Sequence, residues 1–227
     1  RELGMNYEYV ILHIHMDDPT ANIAFGNSDF KRPVLFYNHA SHMFWIGKGV
    51  TDLLIDIQKN DGVTEQKRDI KNKFFIGIPS KEINIQQFNK IELRKKLNLP
   101  LDKKIIITAA LFEKFKPIGK ENILPLLSKI VTENDAVCYA IGIKPSNKLW
   151  QKAKKKTKNR IIPMGYISFD NGYLDYLRVA DLYIDSYPFC GGTASMDAIA
   201  SGTPIISLKS AYPQFDYLIE TSGYCFS

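Results

Sequence analysis

The chain has 227 residues, enough to bury a sizeable core as one large domain or two small ones. A hydrophobic fraction of 45% and a charged fraction of 24% are those of an ordinary globular protein and argue against disorder. The 30 Lys and Arg against 24 Asp and Glu give a net charge of +6, which suits anionic partners such as nucleotides, nucleic acid or an acidic membrane surface without choosing among them. Cys138, Cys190 and Cys225 stand far apart without metal spacing, so neither a disulfide framework nor a zinc knuckle is expected, and a reducing compartment fits. The longest apolar run, near YVILHI, falls well short of the roughly 20 residues that span a bilayer, and no signal peptide is visible. Arg1 is not a start methionine and the chain stops at SGYCFS where another element should begin, so it reads as a piece of a longer protein.

In chain order, YEYVILHIHM, PVLFYNH and DLLIDI read as strands joined by short linkers with turn residues, with a helix expected over ASHMFWIGKGV. The polar stretch from Gln58 to Asn72 marks the domain boundary, and KFFIGIP is one more strand ending at a proline. A regular alternation follows. IELRKKLNL is a helix, KKIIITAAL a strand, KENILPLLSKIVTE a helix interrupted by Pro125, and AVCYAIGI a strand. Then come helix NKLWQKAKKKTK, strand NRIIPMG, helix GYLDYLRVA, strand DLYIDS, helix ASMDAIASG and strand TPIISL. Strands separated by helices pair in parallel through right-handed crossovers, which predicts a doubly wound α/β sheet with ligands at the carboxyl ends of its strands.

The segment DSYPFCGGTASMD lies at such an end, between a strand and a helix predicted to start near Thr193. Gly191 and Gly192 let a backbone approach a ligand, and the first amides of a helix favour an anion. Thr193 and Ser195 add hydroxyls. The same letters also describe a plain helix cap and turn. Asp197 either accepts hydrogen bonds from ribose hydroxyls beside a bound diphosphate or complements the helix dipole. Lys114 and Lys116 follow the first strand of the second domain, where a lysine neutralises a phosphate as a point charge or is a solvated loop residue. Lys152 to Arg160, KAKKKTKNR, reads as the wet face of a helix, with contact to anionic lipid or nucleic acid as the second reading.

These segments resemble the nucleotide-sugar-binding domain of GT-B glycosyltransferases, in particular the group of O-linked N-acetylglucosamine transferases and bacterial protein glucosyltransferases. LFEKFKP is similar to that group's lysine, two residues, proline motif, GGTASMDAIASGTPII to its phosphate loop and ribose aspartate, and LRVADLYIDSYPF to the strand leading in. The resemblance implies that Lys114 contacts the donor diphosphate, that Gly192, Thr193 and Ala194 meet the phosphates, and that Asp197 meets the ribose. It also places Tyr173 at a base-stacking histidine, Leu111 at a donor-contacting glutamine, Gly192 at a histidine and Ala194 at a threonine of the better known members.

On this resemblance, residues 1–78 are the carboxyl-terminal part of a first, acceptor-side Rossmann-like domain, and residues 79–227 the nucleotide-sugar-binding domain, truncated at its end. In GT-B enzymes the two face each other across a cleft. His39 and His42 follow a strand, so one of them is a candidate general base or donor contact, with a core or capping role as the alternative. A metal at this pair lacks a nearby carboxylate or cysteine. His13 and His15 alternate in a strand, followed by Asp17 and Asp18, which either line the cleft or form a simple turn.

The expected function is transfer of a sugar from a nucleotide diphosphate donor, UDP-linked, to a hydroxyl or amide of a protein or glycan acceptor, without metal or further cofactor. The location expected is the cytoplasm or the inner face of its membrane, with peripheral membrane contact through the basic helix and no nucleic-acid partner. A sugar-nucleotide epimerase of the same architecture, and a non-catalytic binding module, are the alternatives.

Overall fold

The computed structural model describes residues 1–40, 45–57, 71–77 and 88–211, which divide into two compact units, Arg1–Pro79 and Ser80–Ser227. No helix among the described residues is long and apolar enough to cross a membrane.

The first unit contains α1 (Glu2–Met5), β1 (Val10–Leu12), α2 (Pro19–Phe25), β2 (Val34–Asn38), β3 (Leu53–Asp56) and β4 (Lys73–Phe75). Its sheet has the order β1-β2-β3-β4, and every pair is parallel. The alternation in β2 buries Val34, Phe36 and Asn38. Phe36 stacks on Trp45 with ring centroids 4.7 Å apart, in a core shared with Leu12, Met16 and Leu54. Asp17 lies in a turn that the Asp18 amide closes by donating to the His15 carbonyl at 3.2 Å, and Asp18 then caps α2, accepting from the Thr20 amide at 2.8 Å where Pro19 opens a helix in a stretch expected to be linker. The first strand is also shorter than expected, so His13 and His15 lie beyond its end. Where a helix was expected from Ala40, the described part has only a 3-10 turn at Gly47–Val50, and residues 41–44 lie outside the described residues.

The second unit runs α3 (Lys90–Lys96), β5 (Lys104–Ala109), α4 (Phe112–Phe115), α5 (Leu124–Glu133), β6 (Ala136–Ile141), α6 (Lys148–Lys156), β7 (Ile161–Gly165), α7 (Tyr173–Val179), β8 (Leu182–Ile184), α8 (Thr193–Ala200) and β9 (Ile205–Ile206). Its parallel sheet has the order β7-β6-β5-β8-β9. This is the doubly wound α/β arrangement expected from the sequence. Consecutive isoleucines of β5 serve opposite faces. Ile106 packs with Leu127, Cys138 and Trp150, whereas Ile105 and Ile107 pack with Leu177 and Tyr183. Both faces are covered, as a parallel sheet requires. Pro125 does not interrupt a helix but sits in the first turn of α5, where its missing N–H has no partner to lose.

At the amino end of this sheet Asp181 gathers Lys90 Nζ at 2.8 Å, Arg94 Nη2 at 2.7 Å and the Ile105 amide at 2.8 Å. It ties α3 to the entry of β5. At the opposite end the chain leaves β5 towards β6 and β7, then returns to β8 on the other side, and this reversal of strand order opens a crevice at the carboxyl ends.

Candidate functional site

A cavity of about 200 Å³ occupies that end. Ala109 and Ile141, the last residues of β5 and β6, form its floor, and Tyr166 follows β7 at its side. Thr193, Ala194 and Asp197 enter from α8, and Tyr173 from α7. Gly142 lies where β6 ends, at φ +89°, and a side-chain carbon there would collide with the carbonyl of Ala110. A glycine is therefore required for the ends of β5 and β6 to approach. In the sequence it is one glycine inside the apolar run AVCYAIGI, and an isolated glycine in such a run marks a close approach of this kind.

The start of α8 faces this cavity, and no side chain caps it. The amides of a helix's first turn have no intrahelical acceptor, and the aligned peptide dipoles leave positive charge there. Thr193 and Ala194 therefore present an anion-ready end. Asp197 lies one turn further on and is 6% exposed. Tyr173 is also 6% exposed, and its buried hydroxyl has no hydrogen-bond partner. Burial, and then the nearby Asp197, push the Tyr173 phenol's pKa up, so it stays neutral and able to donate. An orphaned buried hydroxyl is costly unless a ligand supplies the missing bond. One wall of the cavity thus offers amide donors, and another a phenol beside a carboxylate, the pairing that a vicinal diol can satisfy.

Tyr173 is not a free ring face. Its ring packs edge-on against Phe169 at 5.3 Å, while Tyr166 on the rim is 82% exposed. Gly191 and Ser195 are not in the cavity wall either. Their amide and hydroxyl each lie 2.8 Å from Asp185 Oδ1, a buried acceptor not among the candidates expected from the sequence. A carboxylate at a strand's carboxyl end, next to a glycine loop, was the signal that could have found it.

Lys114 is half-buried and does not line the cavity. Its Nζ donates to the Cys190 carbonyl at 3.0 Å and lies 4.8 Å from the centroid of the Phe189 ring, so it braces the glycine loop from outside. Burial lowers its pKa, while Cys190 and Asp185 act in the opposite direction. Lys116 is exposed. The structure thus brings Tyr173, Thr193, Ala194 and Asp197 together, sets Gly191 and Gly192 in the loop beside them, turns Ser195 to Asp185 and Lys114 to the Cys190 carbonyl, and leaves Lys116 outside the cavity wall.

In the first unit His39 follows β2 and is exposed. Its ring lies 5.4 Å from that of His13, which lies 4.6 Å from Tyr37. His15 is paired with Asp17. His42 lies outside the described residues. Among the described residues no three His, Cys, Asp or Glu side chains assemble as a metal site.

No protein-family model matches the sequence, and no curated protein does. Solved structures do match. The Anabaena protein HepE, solved in complex with UDP and glucose, is similar over 92% of this chain and 61% of its own, with 12% identity and a TM-score of 0.66. A glycosyltransferase from Rickettsia africae is similar over 97% of this chain and 62% of its own, with 15% identity and a TM-score of 0.65. The Thermobaculum terrenum O-GlcNAc transferase matches over 85% of this chain and 38% of its own, with 15% identity and a TM-score of 0.52. The chain thus spans about three fifths of the length of the first two. These likenesses do not single out the O-GlcNAc transferase group; what they establish is the fold, the parallel Rossmann-like α/β architecture of the GT-B class.

Proposed function

We propose that this chain carries the donor site of a GT-B glycosyltransferase, binds a UDP-sugar in the second unit, and serves transfer of the sugar to a protein or glycan acceptor. The observation that carries this is the cavity itself. An uncapped eight-residue helix start and an orphaned phenol beside Asp197 face one space at a strand-order reversal.

In this reading the amides of Gly192, Thr193 and Ala194 hold the diphosphate, and Asp197 with the Tyr173 hydroxyl takes the ribose diol. Tyr166, with its exposed ring, offers the base a platform that buried Tyr173 does not. When the sugar leaves, negative charge grows on the diphosphate, and fixed amide donors stabilise it without reorganising. Lys114 adds positive charge behind the loop, so charge neutralisation needs no metal in this account. His39 or His42 takes the acceptor's proton in this reading. The same reading puts the reaction in the cytoplasm or at the inner membrane face, and leaves the lysines of α6 as a solvated surface that anionic vesicles would test.

One neighbour favours a second reading. A putative UDP-N-acetylglucosamine 2-epimerase from Listeria monocytogenes is similar over 99% of this chain, with 14% identity and a TM-score of 0.57. Epimerisation needs carboxylates that move a proton at a sugar carbon. The two candidates are engaged otherwise, Asp18 as the cap of α2 and Asp17 with His15. Incubation with UDP-N-acetylglucosamine and no acceptor separates the readings: an epimerised sugar supports the second, an unchanged donor the first. Calorimetric titration with UDP, GDP and UMP in a chelator tests the donor site. Binding of UDP that Asp197→Ala weakens supports it, and a folded protein that binds no nucleotide rejects it.

A further inference from the structure

Asp185 follows β8 and is 1% exposed. Its Oδ1 accepts from the Ser186 amide at 2.7 Å, the Gly191 amide at 2.8 Å and the Ser195 hydroxyl at 2.8 Å, and its Oδ2 accepts from the Ser207 hydroxyl at 3.0 Å. The four donors come from its own turn, the glycine loop, the first turn of α8 and the end of β9. Burial pushes the Asp185 pKa up, and these four donors act against that cost, three of them on Oδ1 and one on Oδ2.

Two of those donors, one in the glycine loop and one in the first turn of α8, belong to the segment that the donor-site reading uses. The Gly191 amide and the Ser195 hydroxyl are already committed to Asp185, so an incoming phosphate does not meet them. Pulling both inward fixes where the loop turns and leaves Thr193 and Ala194 as the residues lining the cavity. The fit is close: a side-chain carbon at Gly191 would collide with both Asp185 Oδ1 and Ser195 Oγ. From the other side Lys114 Nζ holds the Cys190 carbonyl at 3.0 Å, and the Lys114 carbonyl accepts from the Phe189 amide at 3.3 Å. The segment between Ser186 and Gly191 is thus clamped between a buried anion and a half-buried cation.

We propose that Asp185 is the positioning residue of this site. It never touches the ligand, but by holding Gly191 and Ser195 it aims the start of α8 at the terminal phosphate of a nucleoside diphosphate. The proposal rests on the reading that the cavity takes such a nucleotide. Its consequence is that Ser195 influences diphosphate affinity only through Asp185.

A double-mutant cycle with Asp185→Asn and Ser195→Ala, read by calorimetry with UDP and UMP, tests this. Asparagine keeps the shape and one acceptor oxygen, and circular dichroism with thermal unfolding confirms that each variant is folded. UDP affinity is expected to fall about tenfold in either variant, the scale of one or two charge-assisted hydrogen bonds. UMP affinity should change less than about twofold, and the double variant should be no worse than Asp185→Asn alone. Equal losses for UDP and UMP would mean a loosened fold rather than aim, and would overturn the proposal. So would a Ser195→Ala loss that persists in full in the Asp185→Asn background, since Ser195 would then touch phosphate directly. If the native protein binds neither nucleotide, the donor-site reading fails on its own, and amide hydrogen exchange still reads the anchor. Faster exchange at Gly191 and Thr193 in Asp185→Asn would uphold the positioning role, and unchanged exchange would end it.

Discussion

Lys114 Nζ donates to the carbonyl oxygen of Cys190 at 3.0 Å, which joins the lysine after the first strand of the second unit to the glycine loop 76 residues later. The bond runs to backbone, so the lysine acts on the loop's shape as well as its charge. Lys114→Met is expected to weaken UDP binding by about tenfold to a hundredfold, a loss of one charged contact and its hydrogen bond. Titration of the variant checks this, and wild-type affinity would remove Lys114 from the site.

Tyr173 offers a test in which stability and binding move in opposite directions. Its hydroxyl is buried without a partner, so Tyr173→Phe removes an unsatisfied group and keeps the packing against Phe169. The ligand-free variant should be more stable, by about 1 kcal/mol in chemical denaturation, and should bind UDP more weakly. A variant that loses stability would show that the hydroxyl is satisfied within the protein.

Gly191→Ala forces a methyl group against Asp185 Oδ1 and Ser195 Oγ. Neither atom is the end of a long flexible chain. Destabilisation of about 1–3 kcal/mol is expected, with loss of UDP binding, whereas Gly202→Ala meets no neighbour and should leave UDP binding intact despite the strain of its φ of +74°.

The pH dependence of stability has an identifiable source at the far end of the sheet. Burial alone would raise the Asp181 pKa, but hydrogen bonds from Lys90, the Ile105 amide and Arg94 outweigh it and hold it at about 2. A depressed carboxylate contributes stability that is fully present above its ordinary value of 3.8 and is lost as pH falls through about 2. Asp181→Asn should therefore destabilise the protein at pH 7, by roughly 2 kcal/mol for the charged hydrogen bonds removed. The difference from wild type should shrink between pH 4 and pH 2, as measured by denaturation across that range.

Much of the second unit was legible because its strands and helices alternate with clear periodicity, and because Gly191 and Gly192 mark the turn before α8. The first unit was harder. Its strands are as short as Val10–Leu12, and α2 has an Asp-Pro start that reads equally well as a turn until Asp18 is seen capping Thr20. In the site, residue types were visible but their directions were not. Ser195 and Thr193 are both hydroxyl residues of one helical turn, yet one faces the buried Asp185 and the other the cavity, a choice set by long-range packing. Tyr173 and Tyr166 likewise differ in burial for reasons that lie in Phe169 and in the loop after β7.

The most direct test is a crystal structure of the protein soaked with UDP. The account predicts that the terminal phosphate lies within hydrogen-bond distance of the Thr193 and Ala194 amides, and the ribose within reach of Asp197 and the Tyr173 hydroxyl. UDP bound elsewhere, or a phosphate held by Ser195 with Asp185 turned away, would contradict it.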